Sequence, residues 1–92
     1  PSTVKRLMQI PSIIGIKEAS GNIAQIGEII TIGKNERPDF EILSGDDALT
    51  LASMQLGASG VISVVSNIIP SEVVALVNLI RKNEFEQANH LQ

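Results

Sequence analysis

Three short, continuous apolar runs, at residues 13–17, 40–44 and 60–65, are separated by longer stretches whose apolar residues recur every three or four positions. Ile23, Ile26, Ile29 and Ile30 form the first such stripe. Leu49, Leu51, Ala52 and Leu56 form the second, and Val73, Val74, Leu76, Val77 and Ile80 the third. A run of four to eight apolar residues suits a buried strand, and a three-to-four periodicity suits an amphipathic helix. Strands that alternate with helices are joined by crossovers, which makes them parallel and the connections right-handed. Runs apolar throughout, rather than at every second residue, predict a sheet covered on both faces. The fold class is therefore α/β.

The punctuation agrees with this alternation. Residues 3–8 read as the tail of a helix, with Pro11 marking its exit. Asn22 is placed to cap the next helix, with Gln25 three residues on in a capping-box position. Gly33 is the expected stop, and residues 35–39 form a polar turn. Residues 45–47 lead into a helix reaching about residue 56, where Gly57 fits a C-terminal cap. After a loop over 66–70, Ser71 is the expected cap of a helix carrying Arg81 and Lys82 in its last turn, where the dipole favours cations. A final helix is predicted over 84–91.

Composition removes several function classes. The 92 residues suffice for one small domain, and with two Phe and no Tyr or Trp its core must be aliphatic. A net charge of -3 argues against nucleic acid or an anionic membrane as partner. The absence of cysteine removes disulfides, thiol nucleophiles and thiolate metal sites, and His90 alone makes no histidine-rich metal site. No apolar run approaches the roughly 20 residues that span a bilayer, and no signal peptide is visible. The chain starts with Pro1 rather than Met, which suggests a processed product or a piece of a longer protein.

All three predicted strands end in small polar residues: Lys17-Glu18-Ala19-Ser20-Gly21-Asn22, Ser44-Gly45-Asp46-Asp47 and Ser63-Val64-Val65-Ser66-Asn67. In parallel α/β folds, ligands bind at the carboxyl ends of the strands, so these clusters are expected on one rim. Lys17 is the foremost candidate. Burial of an ammonium at the end of an apolar strand lowers its pKa, and a neutral lysine forms Schiff bases with carbonyl compounds. Position alone also allows a lysine whose head reaches water or pairs with Glu18. Gly15, on the same strand face, leaves room for a ligand or a neighbouring side chain. Gly45 allows either close approach of a ligand or a tight turn. Asp46 and Asp47 read mainly as helix-start residues that accept backbone N–H bonds. The glycine-led third strand is similar to phosphate-binding strand ends of barrels, but no Lys or Arg stands near it. Ser63 and Ser66 have no histidine partner in range for serine-hydrolase chemistry.

Taken together, the strings Gly15-Ile16-Lys17-Glu18-Ala19-Ser20-Gly21-Asn22, Ser44-Gly45-Asp46-Asp47-Ala48 and Gly60-Val61-Ile62-Ser63-Val64, with Asn67 beyond, resemble the dihydrodipicolinate synthase family. The resemblance covers essentially the whole chain. It implies a (β/α)8 TIM barrel, of which residues 1–92 are one partial segment holding about strands six to eight with their helices. Strands one to five and the C-terminal helices beyond residue 92 would lie outside it. It implies that Lys17 forms a Schiff base with pyruvate and that the enamine attacks L-aspartate-4-semialdehyde, in diaminopimelate and lysine biosynthesis. Ile62 would offer its backbone carbonyl to pyruvate, and Gly45 would line the same pocket. Neither metal nor organic cofactor is implied. A cytoplasmic homotetramer is implied, or a plastid one in a plant.

The chain also departs from the family pattern. It contains no Tyr, whereas the family relays protons through tyrosine, and the threonine pair and arginine that contact the substrates belong to earlier strands. These 92 residues alone are thus expected to be inactive. Alternatives are a related keto-acid lyase, such as N-acetylneuraminate lyase or a 2-keto-3-deoxy sugar-acid aldolase, or a non-catalytic barrel segment serving assembly.

Overall fold

The computed structural model describes residues 1–92 as three parallel strands and five α-helices. The chain runs α1 (Ser2–Leu7), β1 (Gly15–Glu18), α2 (Ile23–Glu36), β2 (Glu41–Ser44), α3 (Thr50–Leu56), β3 (Gly60–Val61), α4 (Pro70–Arg81) and α5 (Phe85–Leu91). Single 3-10 turns at Asp47–Leu49 and Val65–Asn67 lead into α3 and out of β3. The strand order is β1-β2-β3, each neighbouring pair parallel. The alternation of strand and helix expected from the apolar pattern is what forms.

Register decides which residues share a face. Gly15, Ile16, Lys17 and Glu18 pair with Glu41, Ile42, Leu43 and Ser44, and Leu43 and Ser44 pair with Gly60 and Val61. Successive side chains on a strand point to opposite faces. One face therefore carries Ile16, Ile42, Ser44 and Val61, and the other carries Gly15, Lys17, Glu41, Leu43 and Gly60. The first face is covered. Val4, Met8, Ile26, Ile29, Ile30, Phe40, Ile42 and Ala58 form one buried cluster with Ile16 packed against it. A second cluster of Leu51, Leu76, Ile80 and Ala88 ties α3, α4 and α5 together. Each fully buried aliphatic side chain contributes about 1.5 to 3 kcal/mol.

The strand runs predicted a sheet covered on both faces, yet only one face is covered by helices of this chain. Lys17 is exposed and Ile62 is 47% exposed. Several boundaries also move. β3 ends at Val61 rather than 65, because the chain turns out of the sheet after the Ile62 N–H donates to the Ser44 carbonyl at 2.8 Å. α2 continues past Gly33 to Glu36; Gly33 sits buried against Ile42 and Met8 instead of ending the helix. α4 starts with Pro70 in its first turn, and Ser71 makes no capping bond. Gly57 does cap α3, at a φ of 126° that side chains rarely adopt. No helix is long and apolar enough to cross a membrane.

One residue holds the connection from α1 into β1. The Arg37 guanidinium donates to the carbonyls of Met8, Ile10, Pro11 and Ile13, with Ile10 and Pro11 both at 3.2 Å. It also lies 5.6 Å from the centre of the Phe40 ring and 3.5 Å from the exposed Asp39 carboxylate. Carbonyls in a segment without regular structure need donors, and the planar five-donor fork of arginine supplies several at once. The ion pair to Asp39 adds little, because that carboxylate is solvated. Replacing Arg37 with Met is expected to lower stability by about 2 to 3 kcal/mol, read from the urea midpoint. An unchanged midpoint would contradict this role for Arg37.

Candidate functional site

Lys17 is the third residue of β1, and its side chain emerges on the sheet face that no helix of this chain covers. Its aliphatic stem lies across Gly45. A Cβ built on Gly45 would stand 2.7 Å from Lys17 Cε, 3.2 Å from its Cγ and 2.6 Å from the Ala19 Cβ. No other residue type fits there without displacing the lysine. Gly45 thus leaves room for the Lys17 stem, a contact that neither reading of Gly45 named. Gly15 likewise leaves no ligand space, since a Cβ there would meet the Glu41 carbonyl oxygen at 2.7 Å. Both glycines let the two strands lie close together, and Gly45 also makes room for the lysine stem.

The buried setting expected for Lys17 is not what this chain provides, and Glu18 is not its ion-pair partner. Glu18 Oε1 accepts the Ser20 N–H at 2.6 Å, and its Oε2 accepts Gln25 Nε2 at 2.8 Å. Burial favours the neutral form of Glu18, but the bonds from Gln25 and Ser20 outweigh it and hold the carboxyl below the usual glutamate range. Glu18 thus ties the end of β1 to the first turn of α2. Asn22 caps that helix as expected, accepting from the N–H groups of Ala24 and Gln25 at 3.0 and 3.2 Å. Gln25 does not complete a capping box, because its side chain is engaged by Glu18. Gly21 makes the turn between them at a φ of 76°.

The two aspartates after β2 have different tasks. Asp46 is a helix-start acceptor, taking the Ala48 N–H at 3.0 Å. Asp47 is not. Its carboxylate crosses to the end of β3, where it accepts the Ser63 hydroxyl and the N–H groups of Val64 and Val65, the latter two at 2.9 and 3.1 Å. Burial pushes its carboxyl up, while these three bonds pull it down further, leaving it below the ordinary aspartate range. Ile62, one residue before Ser63, lies half-exposed at this same rim. The ends of all three strands thus converge, as their polar terminal strings suggested. No three His, Asp or Glu side chains gather as a metal-ion site.

Comparison with known proteins gives this rim its context. The dihydrodipicolinate synthetase family matches residues 1–92. The chain belongs to that family. The 4-hydroxy-tetrahydrodipicolinate synthase of Protochlamydia amoebophila is 49% identical over 86 residues, which cover 94% of this chain and 29% of that protein. A monomeric dihydrodipicolinate synthase variant of known structure superposes with a TM-score of 0.95 at 35% identity, covering 99% of this chain and 31% of its own. A prophage protein of the same family from E. coli K12, solved in complex with pyruvate, superposes with a TM-score of 0.92 at 30% identity, covering 99% and 31%. The chain therefore spans about a third of the length of these dihydrodipicolinate synthase relatives.

Sequence reasoning missed the Asp47 bridge and the Glu18 tie. Local patterns favour helix capping for any Asp before an apolar stripe, and nothing in the string signals a partner 16 residues away. The carboxylates make an acid limb. A folded pKa held below the unfolded one contributes stability that is present above the ordinary carboxylate range and lost as pH falls through the lowered value. The stability difference between wild type and Asp47→Asn is therefore expected to be full above about pH 5 and to shrink towards about pH 3. Urea midpoints across that range measure it. A difference that stays constant with pH would contradict it.

Proposed function

We propose that residues 1–92 are the part of a dihydrodipicolinate synthase that carries its carbonyl-trapping lysine, with β1, β2 and β3 as strands six to eight of a (β/α)8 barrel. The observation that carries the proposal is the stem of Lys17 lying across Gly45 on the uncovered face of three parallel strands, in a chain of this family. The pyruvate complex of the related prophage protein supports the choice of ketoacid.

In this reading the unprotonated Lys17 amine attacks C2 of pyruvate. Loss of water gives an iminium, whose positive nitrogen acidifies the neighbouring methyl group. Removal of a methyl proton gives the enamine, and its carbon attacks the aldehyde of L-aspartate-4-semialdehyde. Cyclisation and release from Lys17 follow. Gly45 keeps the amine over the rim, and the Ile62 carbonyl faces the ketoacid. The chain holds no tyrosine to move protons in these steps. That role, and contacts to the second substrate, fall to the rest of the protein, so residues 1–92 alone do not turn over substrate. The parent acts in lysine and diaminopimelate biosynthesis in the cytoplasm, as a homotetramer.

Incubating the full-length protein with pyruvate and borohydride, then mapping the adduct by mass spectrometry, tests the proposal. The expected result is a single pyruvate-derived adduct on Lys17, lost in Lys17→Arg. Labelling of another lysine would refute it. Gly45→Ala is expected to slow adduct formation by about 10- to 100-fold through displacement of the lysine stem. An unchanged rate would remove Gly45 from the site. Separately, residues 1–92 expressed alone are expected to show no synthase turnover, and measurable turnover would contradict the missing proton relay.

A further inference from the structure

We infer that Asp47 is a positioning residue for the ketoacid pocket, holding segment 62–65 at the angle that presents the Ile62 carbonyl to the face bearing Lys17. The inference rests on the pyruvate reading above. It starts from how little sheet β3 has. Only Gly60 and Val61 pair with β2, and after the Ile62 N–H meets the Ser44 carbonyl at 2.8 Å the ladder ends. The direction of the Ile62 carbonyl is then set by what holds the next residues. Asp47 holds three in succession: the Ser63 hydroxyl, the Val64 N–H and the Val65 N–H.

The bonds around this node fix both ends. Ser63 Oγ accepts the Ser66 N–H at 3.0 Å, and Ser66 Oγ donates back to the Ser63 carbonyl at 3.2 Å. The Asp47 carbonyl accepts Thr50 Oγ1 at 3.0 Å and Gln92 Nε2 at 2.9 Å, while Gln92 Oε1 accepts the Leu51 N–H at 2.9 Å. Asp47 is thus anchored by α3 and by the end of α5, and its carboxylate holds residues 63–65 just past β3. Asp46 already serves as the helix-start acceptor, so capping does not account for Asp47. A carboxylate that accepts three bonds from one turn fixes a geometry that a single hydroxyl or amide does not. Asp47→Asn leaves one acceptor oxygen and turns an amide NH2 towards donors.

The test uses the full-length protein, pyruvate and borohydride, with intact mass as readout across a pyruvate titration. In Asp47→Asn the pyruvate concentration for half-maximal trapping is expected to rise about tenfold or more, with the final yield on Lys17 unchanged. Ser63→Ala, which removes one of the three bonds, is expected to shift it the same way by less. A purely structural role would lower the yield in proportion to unfolded protein and leave the half-saturation where it was; that result overturns the inference. Where Asp47→Asn does not fold, Ser63→Ala decides on the same criterion. A wild-type protein that forms no adduct on Lys17 would instead overturn the pyruvate reading, and this inference with it.

Discussion

The close approach of β1 to β2 is the constraint on which the rest of the site depends. At its start the strands are so near that a side chain on Gly15 would strike the Glu41 carbonyl. At its end the Lys17 stem and Ala19 occupy the space that a side chain on Gly45 would need. Gly15 on β1 clears the Glu41 backbone, and Gly45, one residue past β2, makes room for the Lys17 stem. Side chains are ordinarily free to choose among staggered rotamers, and a long lysine loses up to about 2 kcal/mol of entropy when held. Here the stem of Lys17 lies across Gly45, while the residue as a whole stays exposed. The covered face contributes the rigidity, because Ile16 and Ile42 are locked against α2 by Ile26, Ile29 and Ile30.

Around that contact, carboxylates that accept hydrogen bonds hold the strand ends. Glu18 links the end of β1 to α2, Asp46 starts the turn into α3, and Asp47 crosses to β3. None of these three acids pairs with a cation. Backbone N–H groups at strand ends and turns are donors without ladder partners, and these carboxylates accept from them, two for Asp47 and one each for Glu18 and Asp46.

The order of elements was legible in the sequence because it rests on local periodicity. The isoleucine stripe of α2 and the apolar run of β1 need no knowledge of the rest of the chain. Asn22 and Gly57 were legible for the same reason, since a cap acts on its own helix. What was not legible depends on partners distant in sequence. Gly33 looks like a helix stop until Ile42 and Met8 are packed beside it. The run at 60–65 looks like a longer strand until Asp47 draws residues 63–65 away. Arg37 sits in a polar turn by sequence, and its four carbonyl partners lie 24 to 29 residues earlier. Lys17 and Gly45 were both singled out, but their contact emerges only from the register of the two strands.

The most direct test is a crystal structure of the full-length protein after reduction with pyruvate. The account predicts electron density continuous from Lys17 Nζ to the ketoacid carbon, with the lysine stem still across Gly45 and the Ile62 carbonyl turned towards the adduct. An adduct on another lysine, or a Lys17 stem swung away from Gly45, would contradict it.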